Sequence, residues 1–408
     1  MSQNSKNHTI PFREFVALMA LLMSVTALSI DAVMPALSIM GHDLGVVGEN
    51  QTQLVISFLF LGFTFGQLIY GPISDSFGRK RAIYIGLSLF CLGSVLSLVA
   101  TSFTMMLAGR LLQGFGAASS RVITVAMIRD QYVGRDMARV MSFVMGIFIF
   151  VPALAPSIGQ LMLYIAHWRT IFILFLVVAI TGMVWMFMRL PETLQEDRRA
   201  PFRLHYIWAG VRAAITNKTT CGYTLCAGIM FGSFIGYLSS AQQIFQDYFK
   251  VGDMFAVYFA VLALAVGSSS FANSTVVKRF GMRHISRISL ISMAGVSAVF
   301  LALCLLTDNN VPFWAFMVYG FAIFLGFGFL FGNLNAIAME PMGHIAGVAS
   351  AFIGAFSSAI SVAVGTVIGQ AFNMTLVPIT LGFLLCALVT YIVQKGVDKD
   401  HVEPLEQT

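Results

Sequence analysis

The chain has 408 residues, of which 58% are hydrophobic and only 10% are charged, and its mean hydropathy is +0.84. Soluble domains carry about 25% charged residues, so this chain cannot bury its apolar surface within one globule, and much of that surface must face lipid. The formal net charge of +6 would suit an anionic partner, but the positions of the basic residues decide that question.

Apolar stretches long enough to span a membrane, about 20 residues or more, recur from one end of the chain to the other. Their apolarity is continuous rather than alternating, which favours helices over a β-barrel. Lys6 and Arg13 precede the first run, which is too long for a signal peptide, so we interpret it as a retained span. The sequence predicts an all-α membrane protein with twelve spans, at residues 14–40, 51–74, 81–100, 103–129, 137–165, 169–189, 219–247, 254–277, 285–306, 312–338, 343–370 and 375–395.

The longest polar stretch, residues 191–218, divides the spans into six and six. We therefore predict an N-terminal six-helix bundle over residues 1–190, a cytoplasmic linker over 191–218 and a C-terminal six-helix bundle over 219–408. With both termini in the cytoplasm, most of the 24 Lys and Arg residues, including the cluster Arg79–Arg81, fall on cytoplasmic segments. This is the positive-inside bias of a membrane protein, so the net charge reflects orientation and nucleic-acid binding is excluded.

The sequence lacks the motifs of an enzyme or of an ATP-driven pump. It contains no GxxxxGK[ST] phosphate loop, no zinc motif and no nucleophile elbow. Its five cysteines form no CxxC or Cys/His pattern, which argues against a disulfide framework and against a metal site. We therefore expect a secondary transporter rather than an enzyme.

Four motifs of the N-terminal half resemble those of the major facilitator superfamily, specifically the Bcr/CflA-type drug:proton antiporters of bicyclomycin and chloramphenicol resistance. They lie after the second span and on the fourth, fifth and first spans, at Gly71–Arg81, Arg110–Ala118 continuing to Arg129 and Asp130, Ala155–Gly159 and Leu28–Pro35. Each pattern is short, but the four occur in the expected order on the expected spans. A weak repeat of the loop motif at Phe280–Arg283 supports two duplicated halves.

The resemblance, which covers nearly the whole chain, implies the major facilitator fold. In this fold two six-helix bundles surround a central cavity and rock between inward-open and outward-open states. It also implies a transporter of the bacterial inner membrane that needs no cofactor, is driven by the proton motive force and exports a small organic molecule; we expect a monomer. Three functions fit the motifs: a broad multidrug exporter, a dedicated exporter of an anionic product such as a siderophore, and an uptake symporter.

Asp31 is the one carboxylate that the sequence places near the middle of a span. A charge in lipid costs at least ~2.5 kcal/mol on insertion scales, so this side chain should face a cavity or a partner. Arg110 is the candidate partner, because the two residues lie about 15 Å and about 11 Å from the outer ends of their spans at helical rise. We predict that Asp31 exchanges a proton during transport while Arg110 adjusts its acidity. A static ion pair and a purely substrate-binding role are the alternatives.

The loop motif predicts a conformational gate. Gly71 and Gly78 permit a tight turn and a close helix approach, and Asp75 can pair with a cation at a helix end. The resemblance implies that Asp75 and Arg79 belong to a contact that links the halves and breaks during transport, with Arg129 as the partner of Asp75. The alternative is a solvated turn that only fixes the orientation of the chain.

Arg121 departs from the resemblance, because a small or neutral residue is usual at this position. It follows Arg110 by eleven residues, which places it about 20° from the same helix face, so both guanidiniums and Gln113 should line one cavity. Because a guanidinium suits carboxylates and phosphates, this arrangement favours an anionic substrate such as a carboxylate siderophore. The alternative is that Arg121 reaches the cytoplasmic interface.

The fifth span combines Pro152, Pro156 and Gly159. Each proline removes a helix hydrogen bond and creates a bend, and the glycine allows close packing. The motif implies exchange against protons rather than uptake with them, although Ala155 stands where the family normally has Gly.

Four polar side chains of the C-terminal half are candidate donors to the substrate cavity. They are Tyr237, Ser240 and Gln243 on the seventh span and Asn333 on the tenth. Hydrogen bonding between helices is the alternative role of these side chains.

Overall fold

The computed structural model describes residues 10–48, 50–199 and 211–399, and nearly all of them are helical. Within these residues, twelve helices are long and apolar enough to cross a membrane, which confirms the predicted all-α, twelve-span architecture. They are α1 Phe12–Asp31, α2 Leu54–Phe77, α3 Arg79–Leu98, α4 Phe103–Gln131, α5 Gly134–Ile165, α6 Arg169–Arg189, α7 Lys218–Gln242, α8 Phe255–Phe280, α9 Met282–Leu306, α10 Phe313–Met339, α11 Ala346–Gln370 and α12 Val377–Asp398.

Local sequence explains where several helices begin. The side chain of Ser102 accepts a hydrogen bond from a backbone N–H in the first turn of α4, and Asn217 does the same for α7, which satisfies donors that lack a partner inside the helix. Gly78 and Gly281 separate the second helix of each half from the third, with φ of 98° and 74°. Residues with a side chain rarely adopt this conformation, so both turns require glycine.

The predicted first span, residues 14–40, is not one continuous helix. α1 ends at Asp31, a 3-10 turn follows at Met34–Ala36, and a short helix then covers Leu37–Asp43. Pro35 explains the interruption, because its ring nitrogen carries no hydrogen and cannot donate to the carbonyl of Asp31 four residues earlier.

The described residues form two compact units, one within residues 1–203 and the other within residues 204–408. In the first unit α4 packs along α2 and α3 and also contacts α1, which in turn packs against α5 and α6. The hydroxyl of Thr26 on α1 donates to the carbonyl of Ala117 on α4 at 3.0 Å. The proposed linker over residues 191–218 stays a prediction, since residues 200–210 lie outside the described chain.

In the second unit α7 and α11 pack closely through a stripe of glycines, Gly228, Gly232 and Gly236. A Cβ atom at any of these positions would lie 2.8 Å or less from the Cβ of a β-branched residue on α11. This spacing of small residues four apart is the usual way for helices to approach in a membrane, where apolar burial does not drive their association.

Candidate functional site

The interruption of α1 lies in the interior of the first unit. Asp31 is only 4% exposed, and Ala32, Val33 and Met34 are fully buried. The last carbonyls of a helix have no partner within it, so the end of α1 needs hydrogen-bond donors from elsewhere in a region where water is scarce.

Arg110 on α4 supplies such donors. Its side chain is fully buried, with Nη2 donating to the carbonyl of Ser29 at 2.7 Å and Nε donating to the carbonyl of Val55 at 3.1 Å. The guanidinium therefore joins the last turn of α1 to the first turn of α2. Its positive charge lies at the negative end of the α1 dipole, which stabilises it there.

The structure does not show a static ion pair between Asp31 and Arg110, which was the alternative to proton exchange. Across the described residues, neither side chain takes part in an ion pair within 4.0 Å. Three of the five N–H donors of Arg110 instead bind two main-chain carbonyls and the side-chain oxygen of Gln113. Both charged residues nevertheless lie at the same end of α1, and their role in proton coupling stays a prediction.

Gln113 has a different position from the one predicted. Rather than lining an open cavity, it is fully buried and its side-chain oxygen accepts from Nη1 of Arg110. Its amide donates to the hydroxyl of Ser94 on α3 at 2.8 Å, and that hydroxyl donates to the carbonyl of Phe90. This chain of hydrogen bonds fixes the orientation of Arg110 from the α3 side.

Arg121 has an exposed side chain, unlike Arg110. Its guanidinium lies 5.9 Å from the centre of the Phe63 ring on α2. Ten residues separate it from the end of α4 at Gln131, which corresponds to about 15 Å along the helix. Among the described residues, no carboxylate lies within ion-pairing distance of Arg121.

The four polar residues predicted on α7 and α10 are buried inside the second unit. Tyr237 packs edge-on against Phe324, and its hydroxyl has no hydrogen-bond partner among the described residues. Asn333 and Asn273 on α8 exchange two amide hydrogen bonds of 3.0 Å. For Asn333 the structure thus shows the alternative role, a hydrogen bond between helices; Ser240 and Gln243 are buried at the end of α7 and the start of the π-helical turn that follows it.

The loop motif forms a cluster of charges around Arg79. This buried guanidinium pairs with Asp75 at the end of α2 and, through Nε at 2.8 Å, with Asp130 at the end of α4. It also donates to the hydroxyl of Ser74 at 2.9 Å, which itself donates to the carbonyl of Gly71. Asp75, Arg79 and Asp130 therefore tie together three helix ends within one unit.

Arg129 is not the partner of Asp75 in this structure. Its side chain is exposed, whereas Arg79, four residues after Asp75, takes that position. Neighbouring residues on a helix point about 100° apart, so Arg129 is directed away from the cluster that Asp130 enters. The gating role of the motif stays a prediction.

Glu192 is a member of this cluster that the sequence did not single out. Its Oε1 accepts from the backbone N–H groups of Arg79, Thr193 and Leu194 at 2.9 to 3.1 Å, and Oε2 accepts from that of Lys80 at 3.1 Å. A carboxylate is favoured at the positive end of a helix, so Glu192 closes the N-terminus of α3 from the segment after α6. The signal available in the sequence was an acidic residue directly after Pro191, at the end of a span.

The second unit contains a corresponding cluster around Arg283, the residue aligned with Lys80 in the repeat. Arg283 contacts Glu340 after α10 at 2.7 Å and Asp398 at the end of α12 at 3.5 Å. The hydroxyl of Tyr223 also donates to Asp398. In both halves, a carboxylate at or shortly after the end of the last helix is therefore connected to the start of the third.

On α5, Pro152 is half-buried, and Pro156 and Gly159 are buried. The backbone of Gly159 abuts the interruption of α1, because a Cβ atom added there would lie 2.0 Å from the carbonyl oxygen of Ala32. The fifth-span motif thus contacts the segment that directly follows Asp31.

We predict that Glu192→Gln lowers the free energy of unfolding by about 1–3 kcal/mol, because the new NH2 group cannot accept one of the four backbone hydrogen bonds. Denaturant unfolding in detergent micelles measures this change. Glu196→Gln is the matched control: its side chain is 88% exposed, and we expect a change within about 0.5 kcal/mol. Equal unfolding curves for the two variants would contradict the capping role of Glu192.

Comparison with known proteins agrees with this architecture. The chain is 29% identical over 390 residues to the Uncharacterized MFS-type transporter YdgK of Bacillus subtilis, covering 94% of this chain and 95% of that protein. It is 28% identical to the Bicyclomycin resistance protein homolog of Haemophilus influenzae, covering 93% and 94%. The solved structure of the xylose transporter XylE from E. coli shares the fold, with a TM-score of 0.73 at 12% identity over 96% of this chain and all of that one.

The profile of the family described as Major Facilitator Superfamily matches residues 19–393. This match spans eleven of the twelve long helices completely or nearly so, and it begins within α1. The predicted resemblance is confirmed, and the chain belongs to the major facilitator superfamily of membrane transporters.

Proposed function

We propose that this protein exports a small organic molecule in exchange for protons, across the bacterial inner membrane and with both termini in the cytoplasm. The chain is a multi-pass bacterial membrane transporter and not an enzyme. One observation carries the finer proposal: a buried carboxylate, Asp31, ends α1, and Arg110 binds the carbonyl of Ser29 in the last turn of that helix. An ionisable group at membrane depth is costly, and proton exchange gives it a function.

In the proposed cycle Asp31 takes up a proton from the outside and releases it to the inside, while the substrate moves outward by alternating access. Burial favours the neutral acid, and a nearby cation favours the carboxylate. Arg110 supplies that positive charge at the end of the same helix. Because Gln113 and two carbonyls hold its guanidinium, Arg110 stays at α1 in both protonation states of Asp31.

The relative named for bicyclomycin resistance supports a drug as the substrate. A second candidate is an anionic metabolite, and Arg121 is the observation that favours it. The exposed guanidinium lies deep along α4, without a carboxylate partner among the described residues. A substrate carboxylate or phosphate would provide strong, charge-assisted hydrogen bonds to it.

We predict that Asp31→Asn abolishes proton-linked transport, because an amide cannot take up a proton in the pH range of the cell. The measurement uses the full chain in proteoliposomes with an imposed pH gradient, following bicyclomycin and an internal pH dye together. Asp308→Asn is the control: Asp308 is an exposed loop residue with φ of 48°, a conformation that Asn also adopts. Proton movement that persists in Asp31→Asn would remove Asp31 from this role.

We predict that Arg121→Gln lowers the transport rate of a carboxylate probe, citrate, by at least about tenfold relative to its effect on neutral bicyclomycin. The loss of a charge-assisted hydrogen bond costs roughly 1.5–3 kcal/mol, which corresponds to this factor. Arg139→Gln is the matched control, since Arg139 is also exposed and lies over an aromatic ring, Phe12, at 5.0 Å. Equal effects on both probes would exclude Arg121 as an anion-binding residue.

A further inference from the structure

The interruption of α1 is held from two sides. On one side, Arg110 of α4 binds the carbonyl of Ser29, two residues before Asp31. On the other side, Gly159 of α5 lies against the carbonyl of Ala32, the residue directly after Asp31. The carboxylate that we propose to exchange protons therefore sits between two backbone contacts that come from different helices.

The contact with α5 depends on the absence of a side chain. A Cβ atom at residue 159 would lie 2.0 Å from the oxygen and 2.9 Å from the carbon of the Ala32 carbonyl, closer than any van der Waals contact. Both neighbours are backbone atoms, and the surrounding residues Ala32, Val33 and Met34 are fully buried. Close-packed interiors transmit such displacements rather than absorb them.

α5 is also a helix that can respond to a displacement. Pro152 and Pro156 precede Gly159 by seven and three residues, and each removes one backbone hydrogen bond that would otherwise stiffen the helix. The α1 segment is interrupted at the same level by Pro35. The segment after α1 and helix α5 both contain proline, and they contact each other at Gly159.

We propose that Gly159 is a positioning residue that couples Asp31 to α5. When Asp31 changes its protonation state, the segment after α1 shifts, and the contact between Ala32 and Gly159 passes this shift to the proline-containing turn of α5. The inference rests on the proposed function, because it takes Asp31 to be the group that exchanges protons. It adds the path by which that exchange reaches the fifth-span motif.

The charged groups on the helices packed against α1 come from α4, α5 and α6. Arg110 on α4 is the group at the level of Asp31, and three of its five N–H donors bind Ser29, Val55 and Gln113. Arg121, further along α4, has an exposed side chain beside the Phe63 ring of α2. The remaining groups whose side chains the structure describes lie near helix ends: Arg129 and Asp130 of α4, Asp136 and Arg139 of α5, Arg189 of α6 paired with Glu14, and His167 and Arg169 beside Asp43.

Hydrogen–deuterium exchange of the purified full chain in lipid nanodiscs tests the proposal without any substrate. Exchange is compared at about pH 5.5 and about pH 8, on either side of the range in which a shifted carboxyl titrates, with labelling times scaled for intrinsic exchange. In the wild type we expect exchange of peptides covering residues 28–40 and 150–165 to differ by at least about twofold between the two conditions. In Asp31→Asn we expect both differences to disappear.

The variant Gly159→Ala distinguishes the pH response of residues 28–40 from that of residues 150–165. We expect this variant to keep the pH response of residues 28–40 and to lose that of residues 150–165. The added methyl group prevents the close contact between residue 159 and the carbonyl of Ala32, so a shift of the α1 segment no longer reaches α5. Gly146→Ala is the matched control on the same helix, since no described residue lies within 4 Å of a Cβ atom at that position, and it should behave like the wild type.

Two results would contradict the inference. A response of residues 150–165 that persists in Gly159→Ala would overturn the coupling contact alone. If Gly159→Ala does not fold, the comparison of the wild type with Asp31→Asn still tests the inference. A pH dependence of exchange in residues 150–165 that persists in Asp31→Asn would show that α5 does not respond to the protonation of Asp31. A wild type with no response in either segment would instead overturn the proposed proton exchange itself.

Discussion

A helix whose regular hydrogen bonding is interrupted inside a membrane must find partners for its free carbonyls, and the structure around α1 meets this constraint. Pro35 interrupts the first span, α1 ends at Asp31, and Arg110 donates a hydrogen bond to the carbonyl of Ser29 in the last turn. The same guanidinium contacts the start of α2 and is oriented by Gln113 from α4 and Ser94 from α3. One buried cation thus connects three helices to the interruption that carries the buried carboxylate.

Charged side chains surround the turn between the second and third helices of each half. The turns at Gly78 and Gly281 leave backbone donors at the start of the third helix. In the first unit Glu192 accepts hydrogen bonds from these donors while Arg79 collects two carboxylates. In the second unit Arg283 collects its carboxylates from the ends of α10 and α12. In each unit, charged residues of the same unit therefore cluster where the second helix meets the third.

The sequence predicted the features that follow from long apolar segments and from the order of short motifs along the chain. Apolar runs of spanning length indicated the twelve helices, and the motifs around Asp75, Arg110 and Pro156 led to the correct family. The choice of partners could not be predicted in this way, because a spacing tells which face of a helix a side chain occupies but not which acceptor it reaches. Arg110 binds carbonyls rather than Asp31, Asp75 pairs with Arg79 rather than Arg129, and the capping contact of Glu192 joins residues more than a hundred positions apart.

The central claim is that Asp31 changes its protonation state within the physiological range, and infrared difference spectroscopy measures this most directly. Spectra of the full chain in lipid are recorded between about pH 5 and about pH 9, where an ordinary surface carboxyl is already ionised. We expect a carboxylic-acid C=O band that grows on acidification, is missing in Asp31→Asn and remains in Asp308→Asn. A difference spectrum that Asp31→Asn leaves unchanged would show that this side chain keeps one charge state throughout, contrary to the proposed mechanism.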